Sequence, residues 1–245
     1  MKSLLVFLLA LLFPPGAGAG EIIGGREVKP HSRPYMAYLS FYKNDNLHTC
    51  GGFLVRKDFV LTAAHCSGSK MSVLLGAHDI AYREATQQRI PVAEKFSLDY
   101  NNSTHVNDIM LLKLAHAANM TKEVNVIRLP RGLTGVKPGA TCSVAGWGRT
   151  EVNGQGSSTL QQLQLDVISP NHCYIFSGFH SCYQLCVGDP ESYKSSYKGD
   201  SGGPLVCGKR AQGILSYVKW GGKPPNVFTR ISFYLHWIKK ILENY

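Results

Sequence analysis

One serine of this chain lies in a glycine-rich segment suited to nucleophilic catalysis. Ser201 directly follows Asp200 in the octapeptide Gly-Asp-Ser-Gly-Gly-Pro-Leu-Val at 199–206. Glycine adopts backbone angles that other residues resist, so successive N–H groups of such a turn can converge on one point beside the hydroxyl. The oxygen of an attacked carbonyl would lie at that point. The segment therefore predicts a serine nucleophile with its own oxyanion hole.

A serine nucleophile needs a base, and the base needs a group that orients it. His65 stands in the apolar segment Leu-Thr-Ala-Ala-His-Cys at 61–66. Asp108 begins the strand-like run Asp-Ile-Met-Leu-Leu-Lys-Leu at 108–114. A histidine base oriented by an aspartate completes the set of groups for acyl transfer through a serine.

The elements that must position these residues are mostly strands. Short β-rich runs separated by turn residues predict strands at 36–41, 52–61, 71–76, 141–146, 204–207, 213–217 and 226–229. This pattern is typical of an all-β sandwich or barrel. Apolar residues at 231, 235, 238 and 242 have helical spacing, which predicts a C-terminal helix packed on the β-structure.

The three segments resemble those of the trypsin/chymotrypsin family of serine endopeptidases. Further matches are Ile-Ile-Gly-Gly at 22–25, Cys-Gly-Gly at 50–52 and Ala-Gly-Trp-Gly at 145–148. The resemblance runs from 22 to 245 and implies two six-stranded antiparallel β-barrels, at 22–128 and 129–245, the second followed by the C-terminal helix. It implies that His65 and Asp108 lie on the first barrel and Ser201 on the second. It also implies that the N–H groups of Gly199 and Ser201 form the oxyanion hole.

The N-terminal segment is typical of a secretory signal peptide. Residues 1–19 contain a basic start, an apolar run at 4–13 and a small-residue cleavage site ending at Ala19. The run is too short to span a bilayer, and we expect no membrane span elsewhere.

Cleavage after Ala19 leaves Gly20-Glu21, which resembles the activation dipeptide of granule-stored proteases of leukocytes and mast cells. In those relatives a dipeptidyl peptidase removes the dipeptide. The new amino group, here of Ile22, then pairs with the aspartate before the nucleophile, here Asp200. The resemblance therefore implies a secreted zymogen stored in cytoplasmic granules of immune cells.

Seven cysteines indicate an oxidising compartment, although their spacing does not pair them. The family resemblance implies three disulfides, namely Cys50–Cys66, Cys142–Cys207 and Cys173–Cys186. It leaves Cys182 over, either as a free thiol or as a competitor of Cys186 for Cys173.

Three sequons predict N-glycosylation, at Asn101, Asn102 and Asn119. Because Asn101 and Asn102 are adjacent, we expect only one of them to be modified.

The net charge of +10 favours partners that are polyanions. For a secreted protein, sulfated heparin-like proteoglycan is the expected one, and a merely solvated basic surface is the alternative. No nucleic-acid motif is present. Nine histidines show no metal-ligand spacing, so we predict no metal and no other cofactor. The other expected partners of this monomer are protein or peptide substrates, the activating dipeptidyl peptidase and serpin-type inhibitors.

Ser195, six residues before the nucleophile, sets the base of the specificity pocket by resemblance. An aspartate there would favour cleavage after Lys or Arg, so the uncharged serine argues against a tryptic enzyme. The segments 194–198 and 223–230 resemble those of chymase, which favours cleavage after Phe, Tyr or Leu. Ser216 begins the segment 216–218 that offers backbone hydrogen bonds to an extended substrate.

Two pocket residues leave an alternative open. Val218 stands where an open pocket has glycine, which resembles elastase and favours Val, Leu, Ala or Met. Asn226 stands where cathepsin G has an acid and granzyme B an arginine, so it offers no ion pair. An alternative of another class is a non-enzymatic heparin-binding defence protein on a protease fold. The presence of His65, Asp108 and Ser201 argues against it.

Overall fold

The computed structural model describes residues 25–149, 155–192, 195–196, 199–219 and 221–245. The predicted signal peptide, the activation dipeptide and Ile22 lie outside these ranges. The described chain is mostly antiparallel β-structure with one long helix at its end. The thirteen strands are β1 (Arg26–Glu27), β2 (Met36–Lys43), β3 (Asn46–Arg56), β4 (Phe59–Thr62), β5 (Ser69–Leu75), β6 (Gln88–Ser97), β7 (Met110–Leu114), β8 (Thr141–Gly146), β9 (Gln161–Asp166), β10 (Gln184–Val187), β11 (Pro204–Cys207), β12 (Arg210–Val218) and β13 (Asn226–Arg230).

Strands β2 to β7 form a closed six-stranded barrel in the order β2-β3-β4-β7-β6-β5. Large apolar side chains such as Phe53, Phe59 and Leu111 are fully buried inside it. The single strand predicted at 52–61 is wrong, because the chain turns between Arg56 and Phe59. At this turn Asp58 accepts hydrogen bonds from Arg56 and Lys113, and the chain reverses from β3 into β4.

The remaining strands form one seven-stranded sheet in the order β1-β9-β8-β11-β12-β13-β10. Strands β9 and β10 approach each other just beyond the end of β9, where Val167 bridges Val187. The N–H of Ile168 also donates to the carbonyl of Cys186 at 2.9 Å. These contacts join the six strands from β8 to β13 into a second barrel-like sheet, and β1 adds a seventh strand at the β9 edge.

Both ends of the described chain cross between the two β-structures. The N-terminal strand β1 pairs with β9 of the second sheet, with Arg26 opposite Gln162. The C-terminal helix α1 (Ile231–Asn244) buries Ile231, Leu235 and Ile238 in the apolar cluster that fills the first barrel. The helix predicted at 231–242 is therefore present, and it fastens the end of the second half of the chain to the first half.

Three disulfides join these elements, with the pairing that the family resemblance implies. Cys50–Cys66 links β3 to the 3₁₀ turn Ala64–Cys66, which carries His65. Cys142–Cys207 links β8 to β11, and Cys173–Cys186 holds the loop that precedes β10. Cys182 is a free, exposed thiol.

Candidate active site

The pairing of β4 with β7 brings His65 and Asp108 together. Thr62, the last residue of β4, lies opposite Met110, the first residue of β7. The residues just after β4 and just before β7 are therefore neighbours. His65 Nδ1 lies 2.8 Å from Asp108 Oδ2, and the backbone N–H of His65 donates to Asp108 Oδ1 at 3.0 Å. With Nδ1–H facing the carboxylate, Nε2 is left as the proton acceptor.

Asp108 is also held from the second β-structure. The hydroxyl of Ser216 on β12 donates to Asp108 Oδ2, and Thr229 Oγ1 on β13 donates to the Asp108 carbonyl at 2.8 Å. Asp108 has no exposed surface. Burial by itself would raise the pKa of this carboxyl, but the His65 ring and the hydrogen bonds from His65 and Ser216 lower it below its ordinary value. Asp108 is therefore a carboxylate at neutral pH.

Ser201 lies in a tight turn pressed against the first barrel. Gly199 and Gly202 have φ values of 103° and 81°, in the left-handed region that favours glycine. The N–H of Gly51 on β3 donates to the Ser201 carbonyl at 2.7 Å. A Cβ on Gly202 would lie 2.2 Å from Thr62 Oγ1, so only glycine permits this approach.

The turn lies beside the segment that carries His65, because Cys66 Sγ is 3.8 Å from the Ser201 carbonyl oxygen. Within the described part of the chain, the Ser201 hydroxyl and His65 share no hydrogen bond. In unliganded enzymes such catalytic contacts are often long and tighten only when substrate binds.

Asp200 is buried in a space that two glycines provide. Its Oδ1 accepts a hydrogen bond from the N–H of Gly148 at 2.9 Å. A Cβ on Gly146 or on Gly148 would lie only 2.1 or 2.5 Å from an Asp200 carboxylate oxygen. The side chain is thus turned away from the cleft and towards the segment 146–148. The pairing of Asp200 with Ile22 stays a prediction, since Ile22 lies outside the described residues.

The predicted pocket base is buried, polar and uncharged. Ser195 and Asn226 have no exposed surface. The Ser195 hydroxyl lies 3.1 Å from Asn226 Oδ1, and Asn226 Nδ2 donates to Ser195 Oγ at 3.0 Å and to the Ser196 carbonyl at 3.1 Å. The amide and the hydroxyl therefore satisfy each other, and neither offers a charge to a substrate.

Val218 lies opposite Asn226 in the pairing of β12 with β13. It is partly buried and contacts the apolar cluster of the second sheet, which includes Leu215 and Phe228. Part of the valine side chain is therefore packed into this apolar cluster. Ser216, two residues before it, is buried and directs its hydroxyl to Asp108 rather than to the pocket.

An aromatic group beside the candidate triad was not predicted from the sequence. The His105 ring lies 4.2 Å from that of Tyr217, and Phe176 packs edge-on against Tyr217 at 5.4 Å. Burial lowers the pKa of His105, the charge of His65 lowers it further, and Asp108 opposes both. The available signal was position alone, because His105 and Tyr217 are close in sequence to Asp108 and Ser216.

A cavity of about 620 Å³ has Gly199 among its lining residues. Tyr38, His48, Trp147 and Arg149 are among its lining residues. This cavity brings a guanidinium and an imidazole close to the predicted oxyanion hole.

The three sequon asparagines are all exposed. Asn101 Oδ1 accepts from the N–H groups of Ser103 and Thr104, so its side chain is already held in a local turn. Asn102 Oδ1 accepts from Tyr100 Oη at 3.3 Å.

The described residues contain one group of three potential metal ligands, Cys50, His65 and Cys66. Both of its sulfurs are consumed by the Cys50–Cys66 disulfide. In the same described ranges, no helix has the length and apolar character needed to cross a membrane.

Comparison with known proteins gives a consistent result. The Trypsin family model matches residues 22–238. The chain is 54% identical to Duodenase-1 of Bos taurus over 244 residues, which covers 99% of this chain and 97% of that protein. It is 53% identical to Granzyme B of Homo sapiens over 244 residues, covering 98% and 99% of the two chains. A solved structure titled "Structure of GrC" is 48% identical, with a TM-score of 0.87, and covers 91% of this chain and all of that one.

Proposed function

The chain belongs to the trypsin family of serine endopeptidases, and we propose that His65, Asp108 and Ser201 are its catalytic triad. The observation that carries this assignment is the contact of His65 Nδ1 with the buried Asp108 carboxylate at 2.8 Å, beside the turn of Ser201. A buried, ionised carboxylate fixes the imidazole tautomer that a serine nucleophile requires.

In this mechanism Ser201 Oγ attacks the scissile carbonyl carbon while His65 Nε2 takes its proton. The C–N bond breaks as His65 returns that proton to the leaving amine, which leaves an ester on Ser201. Water, with His65 again taking the proton, then attacks this ester and releases the carboxylic acid product and free Ser201. Asp108 stays ionised and stabilises the imidazolium.

The N–H groups of Gly199 and Ser201 hold the oxyanion in this proposal, and one such donor contributes roughly 3 kcal/mol to transition-state stabilisation. The turned-away carboxylate of Asp200 supports it, because that orientation fixes the backbone on both sides of the aspartate. We further propose that residues 1–19 are a signal peptide and that removal of 20–21 frees Ile22 to pair with Asp200. A dipeptidyl peptidase is the proposed activator.

For specificity we propose cleavage after large hydrophobic or aromatic residues, as in chymase. The buried Ser195–Asn226 pair supports an uncharged pocket base that is already hydrogen-bonded. Such a base leaves a substrate Asp, Glu, Lys or Arg without an ionic partner, so burying the charge is unfavourable. The contact of Val218 with the apolar cluster of the second sheet supports a pocket that still admits a large side chain.

The second candidate specificity is elastase-like cleavage after small aliphatic residues. Val218 itself favours it, since a β-branched side chain at the entrance narrows the pocket. Packing differences of this kind discriminate between substrates by about 1–3 kcal/mol.

We also propose secretion, storage in immune-cell granules, and binding of sulfated proteoglycan. The similarity to Granzyme B supports a granule protease. The net charge of +10 supports a polyanionic partner. A monomer controlled by serpin-type inhibitors completes the proposal.

Two experiments on the protein starting at Ile22 test these assignments. Labelling by a fluorophosphonate that disappears in Ser201→Ala is the expected result. A folded protein that stays unlabelled would instead favour the non-enzymatic, heparin-binding alternative.

Specificity is tested by the cleavage profile on a peptide library, with Val218→Gly as the matched variant. Cleavage after Phe, Tyr or Leu by both proteins supports the chymase-like pocket. Cleavage after Val, Ala or Met that shifts to Phe and Tyr in Val218→Gly would establish the elastase-like one.

A further inference from the structure

A cavity of about 770 Å³ lies beside the segment that joins the two β-structures, and we refer to it as the linker cavity. Residues 126–128 of the joining segment form one wall. The other walls come from Ser32, Arg33 and Tyr35, from β8 and β9, and from the turn between β11 and β12. Neither the candidate triad nor the pocket residues Ser195, Val218 and Asn226 line it.

Part of the linker cavity is apolar. Tyr35, Val126, Ile127 and Val206 contribute apolar surface to its lining. Val126 is 40% exposed, an unusual exposure for a valine in a structure whose other valines largely fill the cores. The cavity volume is within the range of about 300–1,000 Å³ that is typical of small-molecule sites.

Among the residues that the structure describes, the charged part of the lining is cationic. Arg33, Arg128 and Lys209 line the cavity, and no carboxylate within the described ranges does. The guanidinium of Arg33 contacts only neutral acceptors, Gln162 Oε1 at 2.5 Å and the Ser32 carbonyl at 3.1 Å. None of the three cations forms an ion pair with another described residue.

We propose that the linker cavity binds an amphipathic organic anion, with an apolar or aromatic body and a sulfate, sulfonate or carboxylate head. The apolar wall matches the body, and the three cations without carboxylate partners match the head. A sulfated saccharide satisfies the charges but has no apolar body to cover Val126 and Ile127. Because no catalytic residue lines the cavity, binding does not depend on the serine chemistry.

The test uses the protein starting at Ile22 with Ser201→Ala, so that autolysis does not interfere. The probe is 8-anilinonaphthalene-1-sulfonate, and the matched ligand is N-phenyl-1-naphthylamine, which has the same aromatic body without the sulfonate. Fluorescence titration is expected to give one site for the sulfonate. The uncharged dye is expected to bind at least about tenfold more weakly.

Two triple variants with equal loss of charge distinguish binding in the linker cavity from general electrostatic attraction between the dye and the basic protein. Arg33→Gln, Arg128→Gln and Lys209→Gln together remove the cations of the linker cavity. Lys43→Gln, Lys239→Gln and Lys240→Gln remove three exposed cations elsewhere. The first triple variant is expected to lose at least about 30-fold in affinity and the second less than about threefold. Val126→Trp, which fills the mouth, is expected to abolish binding in a protein whose melting temperature and circular dichroism are retained.

Three outcomes would overturn the proposal. Equal affinity for both dyes would make the site merely apolar. Equal losses in the two triple variants would make the attraction a property of net charge. Displacement of the dye by a heparin tetrasaccharide but not by dodecyl sulfate would assign the cavity to a sulfated saccharide. None of these three outcomes bears on fluorophosphonate labelling of the protein that retains Ser201, so the proposed peptidase activity is tested separately.

Discussion

Ser216→Ala isolates the contribution of the second β-structure to the candidate triad. The Asp108 carboxylate accepts three hydrogen bonds, two from His65 and one from the Ser216 hydroxyl. Asp108 is fully buried, so water cannot replace a donor that is removed. The substitution deletes only the Ser216 hydroxyl and leaves the contact between His65 and Asp108 in place.

The expected loss follows from the charge of the acceptor. A hydrogen bond to an ionised group contributes about 1.5–3 kcal/mol, so we expect the free energy of unfolding at pH 7 to fall by about 2 kcal/mol. Fewer donors also raise the pKa of Asp108 in the folded protein. A carboxyl with a lowered pKa stabilises the fold above its unfolded pKa of about 3.9 and loses that contribution as pH falls through the folded pKa. The difference between wild type and Ser216→Ala should therefore shrink as pH falls through the lowered pKa of Asp108.

The same change weakens catalysis only in part. Asp108 keeps both bonds to His65, so the imidazole keeps its tautomer while the carboxylate is less firmly held. We expect kcat/KM to fall about three- to tenfold, which corresponds to roughly 0.7–1.4 kcal/mol of transition-state stabilisation.

The assay pairs urea unfolding, in the Ser201→Ala background at pH 7 and pH 3, with kcat/KM measured on the active form. Thr229→Val is the matched control, because Thr229 donates to the uncharged carbonyl of the same Asp108. The control should lose about 1 kcal/mol at both pH values and leave kcat/KM within about twofold. If Ser216→Ala and Thr229→Val lose equal, pH-independent stability, the charge-assisted bond assigned to Ser216 is refuted.

Three further predictions concern other parts of the chain. Gly148→Ala places a Cβ 2.5 Å from the Asp200 carboxylate and should lower kcat at least about 100-fold on an ester substrate, whereas normal turnover would refute the packing argument. Asp58→Asn should lower the free energy of unfolding in urea by about 1 kcal/mol at pH 7. Burial raises the pKa of Asp58, but its partners Arg56 and Lys113 lower it below its ordinary value, so the carboxylate stabilises the fold. An equal loss of stability at pH 3 would contradict this electrostatic origin. Burial lowers the pKa of His105, so its protonation destabilises the fold as pH falls below about 6.5, and His105→Gln should reduce the drop in melting temperature between pH 7.5 and pH 5.

The predicted strands that the structure contains are those with concentrated apolar or β-branched residues. Two of the missed strands lack that signal. Strand β6 contains Pro91 and three charged residues and is mostly exposed, so it has few features of a strand. Strand β9 alternates buried and exposed positions, but Gln161 occupies one of the buried positions. Such residues become strand residues only because neighbouring strands close the sheet around them.

The pairing of His65 with Asp108 could be predicted from motif types, whereas its surroundings could not. The hydroxyls of Ser216 and Thr229 reach Asp108 from strands that begin more than one hundred residues later in the chain. No local pattern signals a contact of that range. The same holds for His105, in the loop before β7, and Tyr217, on β12, whose rings meet because elements of the two β-structures face each other.

The candidate site is an interface between the two β-structures, and a small number of contacts across it set its geometry. Gly51 on the first barrel holds the Ser201 carbonyl, while Ser216 and Thr229 on the second sheet hold Asp108. Each β-structure thus holds a candidate catalytic residue of the other, so neither half of the chain contains a complete site. Helix α1 follows β13 and packs against the first barrel, so it helps to fix the position of the two halves relative to each other. Shortening α1 at Leu235 should therefore reduce kcat/KM through misalignment of Asp108 and Ser201.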